Sequence, residues 1–458
     1  MEYTRSNNIT DRVHKANAFH FTSYLNHIVW IILFFAMAQA LINDDEMLMS
    51  LSVMFTIGYC FIAKSENVFY ILCGMTMFES VFKIGGDIVW FVPLLILALK
   101  LLYRDKYRFN SGTVFSLLLI FCLELLLDLT NESMGQLLVN LITIVFVFVA
   151  FPKISILKLN AFNIIFSLLA AFSAVIYYLL SMYGGIGEYI SSFMSATYAY
   201  RFGHSYGDTI GGAMAIPLYT TMIISCGLTC YLKADRLNFI QKVIIFFAVA
   251  ISTVFGAMTI SRSFYLGLIV TIIAILLFKS QNKKFAKGIL LFLVLVAIIF
   301  LVSSNSDIIN KIFSNLQLRL DNGMNKGSEG RTDIWISCIG YLLEHPLNLL
   351  FGFGATNYIN IGAQTGELFA AGAHNLFIDF LMSWGMVGSA ILIAFLISVY
   401  NRQKNNARFN SQSLIPLITY VFFAMTALRS CSLKTWIFLL IAFAFINESV
   451  YREERERL

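Results

Sequence analysis

Charge is scarce in this sequence. Asp, Glu, Lys and Arg make up 13% of its 458 residues, about half the share of an ordinary soluble domain. Proline is scarcer still, at five residues, so little interrupts long helices. Apolar residues fill the gap. They reach 59%, or about 270 positions, enough for about 13 membrane-crossing helices of about 20 residues. A soluble core of that size would need far more polar surface around it. The balance therefore excludes a soluble enzyme, a disordered chain and a nucleic-acid-binding domain. It also excludes an outer-membrane barrel, whose strands alternate instead of running apolar.

The usual soluble signatures are missing as well: no Walker loop, no G-x-G-x-x-G, no H-E-x-x-H and no G-x-S-x-G. The seven cysteines are scattered, five inside apolar runs, with no disulfide or metal spacing. Cys226 and Cys230, four apart on one apolar stretch, read as small core residues. A Cys338–Cys431 bridge on the outer side is the less expected alternative.

Apolar runs cover 26–43, 47–63, 67–82, 86–103, 112–130, 134–151, 160–182, 208–232, 239–259, 263–279, 286–303, 374–400, 411–428 and 435–450. They predict an all-α polytopic membrane protein of about fourteen spans, with twelve or thirteen as alternatives because 67–82 and 435–450 are short. Ala36-Met-Ala-Gln-Ala40 resembles a signal-peptidase site, but the polar segment ahead of the first run is too long for a signal-peptide n-region.

The net charge is only +6, and its distribution says more. Fourteen spans put 23 of the 32 Lys and Arg on the side of the N-terminus, in Lys100–Arg108, Lys279–Lys287, Arg402–Arg408 and the tail among others. Nine fall opposite: Lys83, Arg201, Arg262, Lys311, Arg319, Lys326, Arg331, Arg429 and Lys434. Cytoplasmic loops collect Lys and Arg, so both termini are expected to be cytoplasmic. A wrong span count would scramble this alternation.

Two outer segments are long, about 182–207 and about 304–373. Long loops in compact folds are usually functional or disordered. The second is patterned. Ile308, Ile309, Ile312, Phe313, Leu316 and Leu320 share one helical face, with Asn310, Lys311, Ser314, Asn315 and Gln317 elsewhere. That predicts a helix lying on the membrane surface or on the tops of the spans. A second helix is predicted from about Thr332 to before Pro346. Gly352 and Gly354 mark a turn, and the chain is expected to re-enter the membrane near His374. The whole chain reads as one membrane domain, with 304–373 as an external cap.

Basic residues on the side that should lack them stand out. Arg201 lies in YRFGHSYGD, Arg262 in TISRSFYLG, Arg331 in GSEGRTDIW and His374 in AGAHNLFIDFLMSWGMVG. A guanidinium grips phosphate oxygens with a planar, always-charged fork, so converging arginines would suit a diphosphate at the membrane surface. Each has a plainer reading. Arg262 snorkels at a helix end, Arg331 stacks on Trp335 or caps a loop, Arg201 pairs with Asp208 near His204, and His374 with Asn375 caps a helix. Glu79 and Glu124 are acids inside runs, which makes them site candidates by default, though both lie near the outer ends.

The order R-T-D-x-W (Arg331–Trp335), H-P-L (His345–Leu347), G-x-G (Gly352–Gly354), H-N-L (His374–Leu376) and W-G-x-x-G (Trp384–Gly388), with Ser261-Arg262 ahead of it, resembles the O-antigen polymerase and O-antigen ligase superfamily, the Wzy-type polymerases and their ligase relatives. The resemblance is densest over 259–390. It implies a GT-C-like glycosyltransferase of the bacterial inner membrane, working on the periplasmic face without a metal or other cofactor. Its substrate would be undecaprenyl-diphosphate-linked oligosaccharide, as donor and acceptor. Arg201, Arg262, Arg331, Asp333 and Asn375 are then expected to bind diphosphate or glycan. His374 is expected as general base, with Arg331 and Arg262 stabilising charge on the leaving group. A polymerase is expected over a ligase acting on lipid A-core, and either over a flippase, since no repeat is visible. A chain-length regulator is an expected membrane partner; nucleic acid is not.

Overall fold

Lipid offers the backbone no hydrogen-bond partners, so apolar runs must satisfy their own N–H and C=O groups as helices. In the computed structural model, the described residues are 24–84, 87–106, 108, 110–128, 134–196, 201–203, 215–233, 237–278, 331–355, 357–406, 411–426, 428 and 432–447, with six positions between 310 and 318. The helices are α1 (Tyr24–Asn43), α2 (Glu46–Ile62), α3 (Ser65–Met75), α4 (Phe91–Arg104), α5 (Ser111–Asp128), α6 (Met134–Lys153), α7 (Ala161–Met182), α8 (Ile186–Ser195), α9 (Ala215–Lys233), α10 (Phe239–Met258) and α11 (Arg262–Leu277). The cap supplies α12 (Arg331–Glu344), α13 (Pro346–Phe351) and α14 (Asn357–Thr365). Then come α15 (Leu376–Asn406), α16 (Ile415–Thr426) and α17 (Leu433–Ile446). Among the described residues, six helices are long and apolar enough to cross a membrane, and five shorter helices are apolar. The chain is a multi-pass membrane protein. Thirteen of the fourteen expected runs contain helix; the other, 286–303, lies outside the described residues.

Local signals set the helix starts. Asp45 accepts from Leu48 N at 2.9 Å, Asn160 from Phe162 N at 2.8 Å, and Asn238 with Gln241 forms a capping box on α10. At the far end α17 is buried on every side, from Thr435 through Ile446. That explains why its short run carries no polar stripe.

The loop-side cations meet at one end of the bundle. Lys100 Nζ donates to the carbonyls of Phe61 (2.8 Å) and Ala63 (2.6 Å). Arg104 pairs with Glu66 at 2.5 Å, and Lys153 with Asp105. Burial disfavours a charge on Glu66. The hydrogen bonds from Arg104, its own backbone and Lys158 N, together with the Arg104 charge, outweigh burial and hold its carboxyl below the usual range.

The third run departs from the expected single span. α3 ends at Met75 and continues as a 3-10 segment, Thr76–Val81, with a kink at Phe78. A two-residue hairpin follows, Lys83–Ile84 against Asp87–Ile88. Thr76 Oγ1 turns back to Cys73 O at 2.7 Å, and Thr76 O accepts from Tyr219 OH on α9. The break swings Glu79 onto the start of α17. There it accepts from Leu433 N at 2.7 Å and Ser432 Oγ at 2.9 Å, with Lys434 Nζ at 3.9 Å. An acid inside an apolar run thus serves as a cap, where the helix dipole favours it. Glu79→Ala, which strands these donors, is expected to cost about 1–3 kcal/mol; Glu79→Gln should recover part of that in a detergent melting series.

Candidate functional site

The path to the site starts from two antiparallel helices. Ile275 and Ile415 share a small core. One turn on, Thr271 Oγ1 and Thr419 Oγ1 lie 2.9 Å apart. One further turn on, a Cβ on Gly267 would sit 2.8 Å from the Phe423 ring. Each step moves four residues back along α11 and four forward along α16. The next step brings the N-terminus of α11, with Arg262, level with the C-terminus of α16. Arg331 Nη1 donates to Thr426 O, the last residue of α16, at 2.9 Å. Arg262 and Arg331 therefore occupy the same end of the bundle.

Arg201 is drawn to that end by its neighbours. Phe202 N donates to Met258 O at 3.0 Å, the last residue of α10, and Gly203 N to Tyr183 OH at 3.1 Å. The Met258–Arg262 corner is tight. Ile260 holds φ +47°, a left-handed conformation that a β-branched residue rarely adopts. Ser261 and Ser263 hydroxyls lie 2.7 Å apart. Arg201, Arg262 and Arg331 are all half-buried.

The cap brings His374 to the same region. One turn beyond Arg331, Trp335 Nε1 donates to Ala373 O at 2.8 Å. His374 itself is half-buried with φ +50°, the second non-glycine in this region held left-handed. Asn375 is buried, and its Oδ1 accepts from Phe377 N at 3.0 Å and Ile378 N at 3.4 Å. It caps α15, as the plainer reading had it. Asp333 is exposed on α12 and is not drawn in among these contacts. The expected companions of Arg201, His204 and Asp208, lie outside the described residues. Chemically, the end collects three guanidinium groups and the N-termini of α11, α12 and α15, all favouring an anion.

Other contacts were not visible in the sequence. Buried Asp379 accepts from Tyr358 OH, and Tyr358 OH in turn lies 3.5 Å from Ala373 N, so this pair backs the His374 turn. Cys338, beside Asp379, is a buried free thiol. Being free, it is not half of a bridge; burial first, then the nearby carboxylate, push its pKa up to about 12. Glu124, fully buried on α5, accepts from Trp384 Nε1 at 2.6 Å. The signal for both acids was their presence in apolar runs; the partner of Asp379 lies 21 residues away and that of Glu124 lies 260 away.

The two helices predicted in the outer loop fare differently. The second is α12, ending at Glu344, with Pro346 opening α13 and His345 Nδ1 2.8 Å from Tyr341 O. Of the first, 310–311, 314–315 and 317–318 are helical, and its apolar face lies outside the described residues. Its polar face is not idle: Asn315 is buried, and Lys311 Nζ donates to Ala196 O at 2.5 Å. Lys311→Asp is therefore expected to lower thermal stability, against the tolerance its place on the polar face implied, because an acceptor would replace the donor.

A multi-pass helical membrane protein with a folded cap and cationic side chains gathered at one end is the class these features define. Residues 247–393 match the O-antigen ligase family model, so this stretch of the chain is similar to that family. The match covers the second half of α10, α11, the cap and the first part of α15, about a third of the chain, and includes Arg262, Arg331 and His374. No curated protein matches the sequence.

Proposed function

We propose that this protein is a glycosyltransferase of surface-glycan assembly that polymerises undecaprenyl-diphosphate-linked repeat units on the periplasmic face of the bacterial inner membrane. The observation that carries this reading is the placement of Arg262, Arg331 and His374 at one end of the bundle, within the stretch matched to the family. The acceptor hydroxyl oxygen attacks the anomeric carbon of the donor sugar. The carbon–oxygen bond to the diphosphate breaks, and the hydroxyl proton passes to His374, the residue whose ordinary pKa lies nearest neutral. Arg201, Arg262 and Arg331 stabilise the charge that develops on the departing diphosphate, so the step as written uses no metal. Asn375 and Asp333 take lesser parts, the first by shaping the start of α15.

The ligase is the second reading, favoured by the description of the matched family. The lipopolysaccharide of a deletion strain separates the two. Loss of the ladder with one repeat still on the core identifies a polymerase. Loss of every repeat, with polymer stranded on the lipid carrier, identifies a ligase. A new glycosidic bond made by purified protein from lipid-linked oligosaccharide excludes a flippase.

The reading needs the cap on the periplasmic side, as the expected fourteen spans would put it. A cysteine at Arg104 is expected to be shielded from an impermeant thiol reagent in whole cells, and one at Asn325 labelled. Labelling at Arg104 would reverse the orientation.

A further inference from the structure

The cap was expected to stay outside the membrane until His374. Its contacts with α15 put part of it deeper. α15 is interrupted at Gly385, which has φ +61° and ψ −168°. Ahead of the break, the carbonyls of Met382 and Ser383 accept from the cap: Phe353 N at 2.8 Å and Gly354 N at 2.9 Å. α13 lies against the break itself, with the Leu350 carbonyl carbon and Phe351 N only 2.4 Å from where a Cβ on Gly385 would stand.

The depth of that contact follows from helix rise. The polar end of α15 begins at Asn401. Gly385 lies sixteen residues earlier, about 24 Å up the helix. A hydrocarbon core is about 30 Å thick, so α13 meets α15 below the outer boundary. Irregular backbone is tolerated at that depth only where protein satisfies it, and the two hydrogen bonds from Phe353 and Gly354 do so.

The outward surface of this region carries an apolar strip, with exposed Glu344 beside it. On α12, Ile336 (64% exposed), Ile339 and Leu343 (66%) recur at three and four residues, and Leu347 (72%), Leu350 and Phe351 continue the strip on α13. The strip runs on into exposed Met386 and Val387 of α15, just past the break and at membrane depth. The opposite face of α12, Cys338 and Leu342, packs into the cap core. At its other end α12 is tied by Arg331 to the terminus of α16. Both ends of the helix are thus fastened near the bilayer boundary, which lays it along the interface.

We propose that α12 and α13 form a lipid-immersed foot, whose Ile336–Phe351 strip docks into the acyl chains of the leaflet on the cap side. The foot seats Arg331 and the His374 turn at a set height over the membrane. The inference holds whichever glycan reaction the protein performs.

Nitroxide labels on single added cysteines at Leu343 and Leu347, in protein with exposed Cys122 replaced and reconstituted in nanodiscs, test it. Both labels should collide more with oxygen than with a water-soluble nickel chelate, and a label at exposed Thr365 of α14 should show the reverse. Greater nickel access at Leu343 and Leu347 would place the strip in water and overturn the proposal. Protection from both reagents would mean that protein, such as a second copy, covers it, and would overturn it equally. If the cysteine variants misfold, a photoactivatable diazirine side chain at Leu347 in the native cysteine background gives the same decision. A lipid adduct is expected; a cross-link to another copy, or to none, overturns the proposal.

Discussion

Arg331→Ala and Arg262→Ala are each expected to abolish detectable polymer in cells that still make the protein at normal levels. Removing one donor that stabilises developing negative charge costs roughly 2.7–4 kcal/mol, or 10²–10³ in rate. Lysine at either position should leave short or sparse chains, because an ammonium restores the charge but not the two-pronged grip. The contact of Arg331 with Thr426 O makes a purely structural role a sharp competitor. If Arg331 merely caps α16, alanine should lower abundance and melting temperature, and lysine, still a donor near a helix C-terminus, should restore both. Turnover by purified protein decides between them. Wild-type rates from both alanine variants would move the diphosphate site elsewhere. His374→Gln provides the companion test: if imidazole is the base, the acidic limb of the pH–rate profile disappears in a variant that still turns over.

Gly385→Ala should be among the most damaging single substitutions outside the charged residues. A φ of +61° with ψ −168° lies in a region essentially confined to glycine and costs another residue about 1–3 kcal/mol. The added methyl would also overlap the Leu350–Phe351 backbone at 2.4 Å, which has no flexible end to yield, and overpacking adds about 1–3 kcal/mol. Gly352→Ala should behave alike, since its φ is +84° and its Cβ would stand 2.2 Å from Ser383 O. Gly366 separates the two causes: its φ is +76° but nothing lies within 4 Å, so alanine there bears only the conformational cost. Thermal unfolding in detergent should rank Gly385 and Gly352 well below Gly366, and Gly340→Ala, on open helix surface, near wild type. Equal melting of all four would remove the tight cap-to-α15 contact.

These glycines show how unevenly the motifs could be read. The G-x-G and W-G elements were legible as landmarks by residue type and order. Their physical work is close backbone approach at Gly352 and Gly385 and a Trp384–Glu124 hydrogen bond across 260 residues of sequence. Asn375 was legible too, since a side-chain acceptor one residue before an apolar helical run caps it wherever the helix lies. Glu79 was legible only as an anomaly; its use depended on a break in α3 that local hydropathy does not encode.

Some features of this protein follow from the sequence alone. Scarce charge and long apolar runs require helices, since a chain in lipid must satisfy its backbone within each segment. Turn glycines, Pro346 and polar caps set where those helices start and stop. The sequence also singled out the unusual cations, because Arg is costly on an apolar chain and its placement is conspicuous. The span alternation put Arg201, Arg262 and Arg331 on one side; only the tertiary structure decided which helix ends they meet there. The α11–α16 register, the Arg331 bond to Thr426 and the Trp335 bond to Ala373 join residues that are far apart along the chain, through packing that depends on the shapes of both partners. For the same reason the depth of the cap was beyond the sequence: where α13 sits follows from one broken helix and the two carbonyls it leaves for the cap to satisfy.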